Sequence, residues 1–410
     1  DIVDAKGDLL DVEFDSVWIS NVSATLSAGT TLTSANAGLT SAGKGATSSF
    51  YAYNFSAPDY GTFTVWALES VDMEDIDLGT ATVNIYPGGT SSSAAGPSGS
   101  GASIVNLEAG NVNLVRISPS LDNLTIGLLT MMGNSPSSDM MIGKNWNTTG
   151  FTIGAAGASG CGYNIHVTTL VTNGGAISGS CSNSASINNV VIDGVTATYT
   201  GSTNAIYARN TAITIGDGSV TMPTTFDEMA KASTGGRIVL IDVTQDGTDC
   251  ESSSDCNVSS SSAGVIYFGG IATVKAYKSL GAGVKEYKEG HTVQATAVDA
   301  GAILFPYIGT HKTDANGEAS VWVLTQNDLG DTYTNHNLVA YGPSGQNETL
   351  VTDSWYPGSF EVGDSIELRL EPAPVSLNGT NMDCDYLKNN NPAAALGYDG
   401  TIASGGTNTF

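Results

Sequence analysis

The sequence predicts an all-β, multidomain protein: β-sandwich modules around a central Asn- and Gly-rich β region. Three observations carry this reading. Runs of β-branched and aromatic residues alternate with polar ones at a period near two. Clusters of Gly, Ser, Asn and Asp separate those runs, as turns require. At 410 residues with 40% hydrophobic content, the chain is too long for one ordinary core and apolar enough to bury several.

Residues 1–87 read as an N-terminal β-sandwich. The runs Asp11–Ser20, Ser48–Phe55, Gly61–Leu68 and Thr80–Tyr86 have the alternation and residue types of strands. Residues 88–102 are rich in Gly, Ser and Pro, have almost nothing to bury, and read as a linker.

Residues 103–225 carry a recurring phrase of Asn, apolar, any residue, apolar. It stands at Asn113-Leu-Val-Arg-Ile, Asn123-Leu-Thr-Ile-Gly, Asn164-Ile-His-Val-Thr, Asn189-Val-Val-Ile-Asp-Gly and Asn210-Thr-Ala-Ile-Thr-Ile-Gly, with Gly150-Phe-Thr-Ile-Gly as a variant. Several intervals approach the length of one solenoid coil. Asn and Gly tolerate the left-handed backbone that coil turns need. The segment resembles secreted right-handed parallel β-helix repeat proteins. A Greek-key sandwich with Asn-rich turns is the alternative.

Residues 226–263 read as a connecting segment. A short helix is expected over Thr225–Lys231, where Thr225 and Glu228 have capping-box spacing. The strand Arg237–Val243 and a cysteine loop follow. Residues 264–372 contain six strand patterns and the turn Thr313-Asp-Ala-Asn-Gly, which resembles that of immunoglobulin-like (Ig-like) modules on bacterial and archaeal surface proteins. Residues 373–410 form a C-terminal extension with too little apolar content for its own core.

Composition narrows function. Only 13% of residues are charged, against about a quarter in an ordinary soluble domain, and 40 acids face 14 bases for a net charge of −26. No basic stripe exists to displace counterions from nucleic acid. No apolar run approaches the ~20 residues of a membrane helix, so membrane insertion is not expected. Beginning at Asp1, the chain reads as a mature secreted form. Sequons stand at Asn21, Asn54, Asn123, Asn147, Asn257, Asn347 and Asn378, so covalent N-glycans are expected partners. The preferred cysteine pairing is two local disulfides, Cys161 with Cys181 and Cys250 with Cys256, leaving Cys384 over; a zinc site is the alternative, without a CxxC or nearby His in its support.

Catalytic groups are sparse. His166, His291, His311 and His336 lie in four separate segments, with no metal-binding or triad spacing. Polysaccharide lyases built on β-helices resemble one another in clustering Asp for calcium beside a base. Here Arg116, Lys144, Arg209, Asp122, Asp139, Asp193 and Asp217 are dispersed, and the chain is read as a non-enzyme with no organic cofactor. Calcium is the one cofactor considered, with oxygen ligands in expected loops at Asp72, Asp75 and Asp77, at Asp246 and Asp249, and at Asp328 and Asp331. Lys275 and Lys278 are candidates for an intramolecular isopeptide bond.

The expected function is an extracellular structural protein that self-assembles as a homopolymer, in a filament or surface layer. Residues 1–10 or the C-terminal tail would add a strand to a neighbouring subunit. In composition and module style the chain is similar to archaeal secreted filament and surface-layer proteins. The alternatives are a carbohydrate-binding ectodomain, with Trp18, Trp66, Trp146, Trp322 and Trp355 as stacking candidates, and a β-helix polysaccharide-active enzyme.

Overall fold

The computed structural model describes residues 16–23, 31–33, 49–56, 61–67, 70–87, 98–136, 140–154, 160–182, 187–222, 228–280, 283–297, 311–333, 336–341, 351–353, 363 and 365–370. Among the described residues every regular element is a strand. The chain divides into two units, one of residues 1–268 and 326–331, the other of 269–325 and 332–410.

The first unit is a parallel β-solenoid. One coil shows how the sequence builds it. Ser118–Ile126 and Leu128–Asn134 follow each other along the chain but pair with different neighbours. Ser118–Ile126 lies parallel between Ser98–Ala109 and Met140–Thr148. Leu128–Asn134 lies parallel between Val112–Val115 and Gly150–Ile153. Period-two alternation turns Leu121, Leu124, Leu129 and Met131 inward, all nearly inaccessible, and these stack on the same positions of adjacent coils in one continuous core. The parallel alternative over 103–225 is therefore the observed one.

Two kinds of corner fold each coil. Within Ser118–Ile126 the alternation breaks at Asp122 and Asn123, which both face outward, and Asn123 takes φ 54°. The equivalent position is left-handed at Asn54, Asp75, Asn106 and Asn145, and again at Asp217 and Asp242. Asn and Asp supply this conformation at the least cost of any residue with a side chain. The second corner needs glycine because the coils approach closely there. A Cβ on Gly110 would lie 2.2 Å from the Thr80 carbonyl oxygen.

Several expectations are corrected. The strands Ser49–Ser56 and Ser70–Asp77 pair in parallel with each other, and Ser70–Asp77 in turn with Ser98–Ala109, so they are solenoid coils and not a separate sandwich over 1–87. Alternation marks a strand's buried face but is silent on the direction of its partner. Part of the expected 88–102 linker is strand, since Ser98–Ala109 begins there; residues 88–97 lie outside the described residues. The expected helix is instead the strand Glu228–Ser233, parallel to Asn204–Arg209, with Met229, Ala230 and Ala232 buried. Burial against the preceding coil overrides local helix preference. Thr225 lies outside the described residues, and the segment 226–263 contributes coils.

In the second unit, Ala272, Val274, Ala276, Val293, Ala319, Val321 and Val323 form a small core. Thr292–Ala297, His336–Tyr341 and Val351–Asp353 make an antiparallel sheet, while Ser365–Leu370 runs parallel to Val265–Ser279. The expected turn is present: Asp314 Oδ1 accepts the amides of Asn316 and Glu318, and Gly317 has φ 73°. The extension 373–410, Cys384, Trp355 and the sequons at Asn347 and Asn378 lie outside the described residues.

Candidate functional site

The most regular polar feature of the solenoid is the ladder that its first corner creates. Asn145 Nδ2 donates to Asn123 Oδ1 at 2.8 Å, Asn123 Nδ2 to Asn106 Oδ1 at 3.0 Å, and Asn106 Nδ2 to Asp75 Oδ1 at 2.7 Å. The four residues are 22, 17 and 31 apart in sequence, so coil length varies while corner geometry does not. Every amide points its donor the same way and the series ends on a carboxylate, an arrangement in which each bond polarises the next. Asn21 holds the same register position beside Asn54. Shorter ladders join Asn113 to Asn84, Asn173 to Asn147 and Asn189 to Asn164. The recurring Asn phrase thus marks corners and ladder rungs; Asp75 and Asn145 lack the phrase and were missed, as was Asn106, whose Asn106-Leu-Glu-Ala fits it.

The expected calcium ligands are distributed among protein donors. Asp72 lies in a strand, where its Oδ2 accepts the Tyr53 hydroxyl at 2.5 Å. Burial, followed by that bond, pushes the Tyr53 phenol up to about 12, so it remains a donor. Asp75 terminates the ladder, and Asp77 accepts the Gly79 amide at 3.1 Å. Asp246 accepts the Met222 amide, and Asp249 pairs with Thr244 across a hairpin. Asp328 accepts the Ile266 amide, and Asp331 accepts Asn327 Nδ2. Among the described residues no three His, Cys, Asp or Glu side chains gather where a metal ion could sit.

Of the ionisable groups weighed for catalysis, two pairs meet. His166 Nε2 lies 2.8 Å from Asp193 Oδ2 on the next coil, and Lys144 Nζ lies 3.3 Å from Asp122 Oδ2. Their sequence separations, 27 and 22, are coil lengths; that was the available signal for pairing them. In the second unit His291, His311 and His336 are buried. Desolvation, aided by the cations of Lys278 and Lys288 and partly offset by the Glu289 carbonyl, holds His291 below the usual histidine range. His336 Nε2 accepts the Leu324 amide at 3.1 Å. Lys275 is ion-paired with Glu318.

The cysteines pair as expected, Cys161 with Cys181 and Cys250 with Cys256, closing loops of sequence separation 20 and 6. The sequon residues Asn54, Asn123, Asn147 and Asn257 have exposed side chains. Trp146 is core, 1% exposed, and Trp322 is half-buried against the His311 ring at 5.2 Å. No helix among the described residues is long and apolar enough to cross a membrane. Comparison with protein-family models, with curated proteins and with solved structures finds no match.

Proposed function

We propose that this chain is an extracellular structural protein that assembles with copies of itself into a filament or surface layer. The observation that carries the reading is the parallel solenoid. Its coils add to one another by one repeated pairing, and among the described residues the terminal strands of one sheet, Thr31–Thr33 and Val258–Ser261, each pair on one side only. The outward amide ladders, the sparse charge and the two disulfides suit a durable polymer outside the cell. In this reading the second unit is an Ig-like module carried by the solenoid, and exposed sequons such as Asn147 carry glycans. Residues 1–10 and the tail remain candidates for strand exchange.

Negative-stain microscopy of purified protein tests the reading. Polymers are the expected result; monodisperse particles across a wide range of concentration and ionic strength overturn it. A second reading, a carbohydrate-binding ectodomain, draws on Tyr51 and Tyr53, which lean the same way across the neighbouring strand. The Tyr51 hydroxyl accepts from Ser70 at 3.0 Å, and the Tyr53 hydroxyl donates to Asp72. Glycan binding abolished by Tyr51→Ala would favour it.

A further inference from the structure

One of the solenoid's sheets runs through ten strands, all parallel, from Thr31–Thr33 to Val258–Ser261. Among the described residues each of these terminal strands pairs on one side only: Thr31–Thr33 with Thr62–Ala67, and Val258–Ser261 with Glu228–Ser233. The core is also open at the second of them. Phe151, Ile177, Ile206 and Ala230 follow one another in register facing inward, each at most 1% exposed. Val258 is next in that column and is only partly buried. Ser260 likewise follows the buried Ala208 and Ala232 but is half-exposed.

Proteins normally blunt an open edge with lysine, proline, a bulge or a covering element. Neither terminal strand carries a charge or a proline. The surrounding sequence is neutral as well: residues 16–43 and 257–274 contain no Asp, Glu, Lys or Arg, in a chain of net charge −26. Two such chains repel over most of their surfaces, and these two stretches are spared.

We propose that the sheet continues from one copy into the next, Val258–Ser261 of one molecule accepting Thr31–Thr33 of a second in parallel register. The inference rests on the assembly reading above and names its interface. The pairing is complementary because both edges belong to the same sheet. Leu32 is in register with Phe63 as Val258 is with Ala230, so in the joined sheet position 32 falls opposite Val258 and position 33 opposite Ser259. The contact is head-to-tail between unlike edges, does not close on itself, and propagates as a fibre.

A cross-linking experiment on the full chain tests this. Within one molecule, positions 33 and 259 lie nine strand spacings apart, about 43 Å at about 4.8 Å each, so a disulfide between them must join two copies. The double variant Thr33→Cys/Ser259→Cys should, on oxidation, give a ladder of covalent oligomers whose junction peptide contains both positions. Val258→Lys should lower polymer yield at least tenfold while circular dichroism and melting temperature stay near wild type. Ser259→Glu, outside the core, is the second variant should Val258→Lys misfold. Polymers that form without the 33–259 junction, or that tolerate Ser259→Glu, overturn this interface and leave assembly standing. A wild-type chain that never polymerises overturns both.

Discussion

Asn145 and Asn123 lie one coil apart, and the side-chain amide of the first donates to that of the second at 2.8 Å while both backbones sit in the left-handed region, at φ 52° and 54°. The bond and the corner select the same residue type. Asparagine tolerates the turn and supplies a donor and an acceptor along the stacking direction.

Separate substitutions should divide these two contributions. Asn123→Ala loses both amide bonds and strains the corner, at a cost of about 2–3 kcal/mol. Asn123→Gly loses the bonds but relaxes the backbone, and should cost about 1 kcal/mol less than the alanine variant. Urea denaturation measures both; equal costs would show that backbone conformation at this corner is unimportant.

The indole of Trp146 occupies the space a side chain at position 143 would need. Its Nε1 donates to the Leu121 carbonyl at 2.9 Å, and a Cβ on Gly143 would lie 2.5 Å from the ring. Gly143→Ala should destabilise by about 1–3 kcal/mol. Trp146→Leu should cost more, from the lost indole volume and the orphaned carbonyl. Combined, the two should cost clearly less than their sum, because the smaller side chain makes room for the methyl. Additive costs in a thermal-melt cycle would rule out the contact.

Reduction should weaken the solenoid unequally. By loop-closure entropy, Cys161–Cys181, with separation 20, contributes roughly 3 kcal/mol, and Cys250–Cys256, with separation 6, roughly 2 kcal/mol. Paired Cys→Ser variants compared in guanidinium should show the larger loss for the first bridge.

Stability should fall with acid through the second unit. His291 titrates below the unfolded value of about 6.5 because burial disfavours its charged form. Between its folded pKa and about 6.5 the unfolded chain binds a proton that the folded chain does not. Its contribution is therefore fully present above about pH 6.5 and is lost as pH falls toward the folded pKa. Urea midpoints at pH 7.5 and 5.5 should differ for wild type and differ less for His291→Gln. An unchanged slope would remove His291 from the account.

Most strands and some corner residues were readable locally, because each depends on a residue and its immediate neighbours; Glu228–Ser233 and the corners at Asp75 and Asn145 were not. Asn123-Leu-Thr-Ile announced a left-handed corner followed by a strand with Leu124 and Ile126 facing in, and the structure has both. Both disulfides were equally readable, each pair lying close in sequence. The ladder was half readable: Asn106 and Asn123 are typical corner residues, but nothing local joins Asn106 to Asp75, 31 positions away.

What the sequence by itself determined, then, was an all-β chain with a sparsely charged, acidic composition rich in amides and hydroxyls. Tertiary structure decided how those strands associate. It ran Ser49–Ser56 and Ser70–Asp77 parallel into the solenoid and not into a sandwich, and it made Glu228–Ser233 a strand against Asn204–Arg209. The physical reason is the range of the deciding contacts. Alternation with period two is the same for parallel and antiparallel neighbours, and partner and direction are set by packing between coils 17 to 31 residues apart.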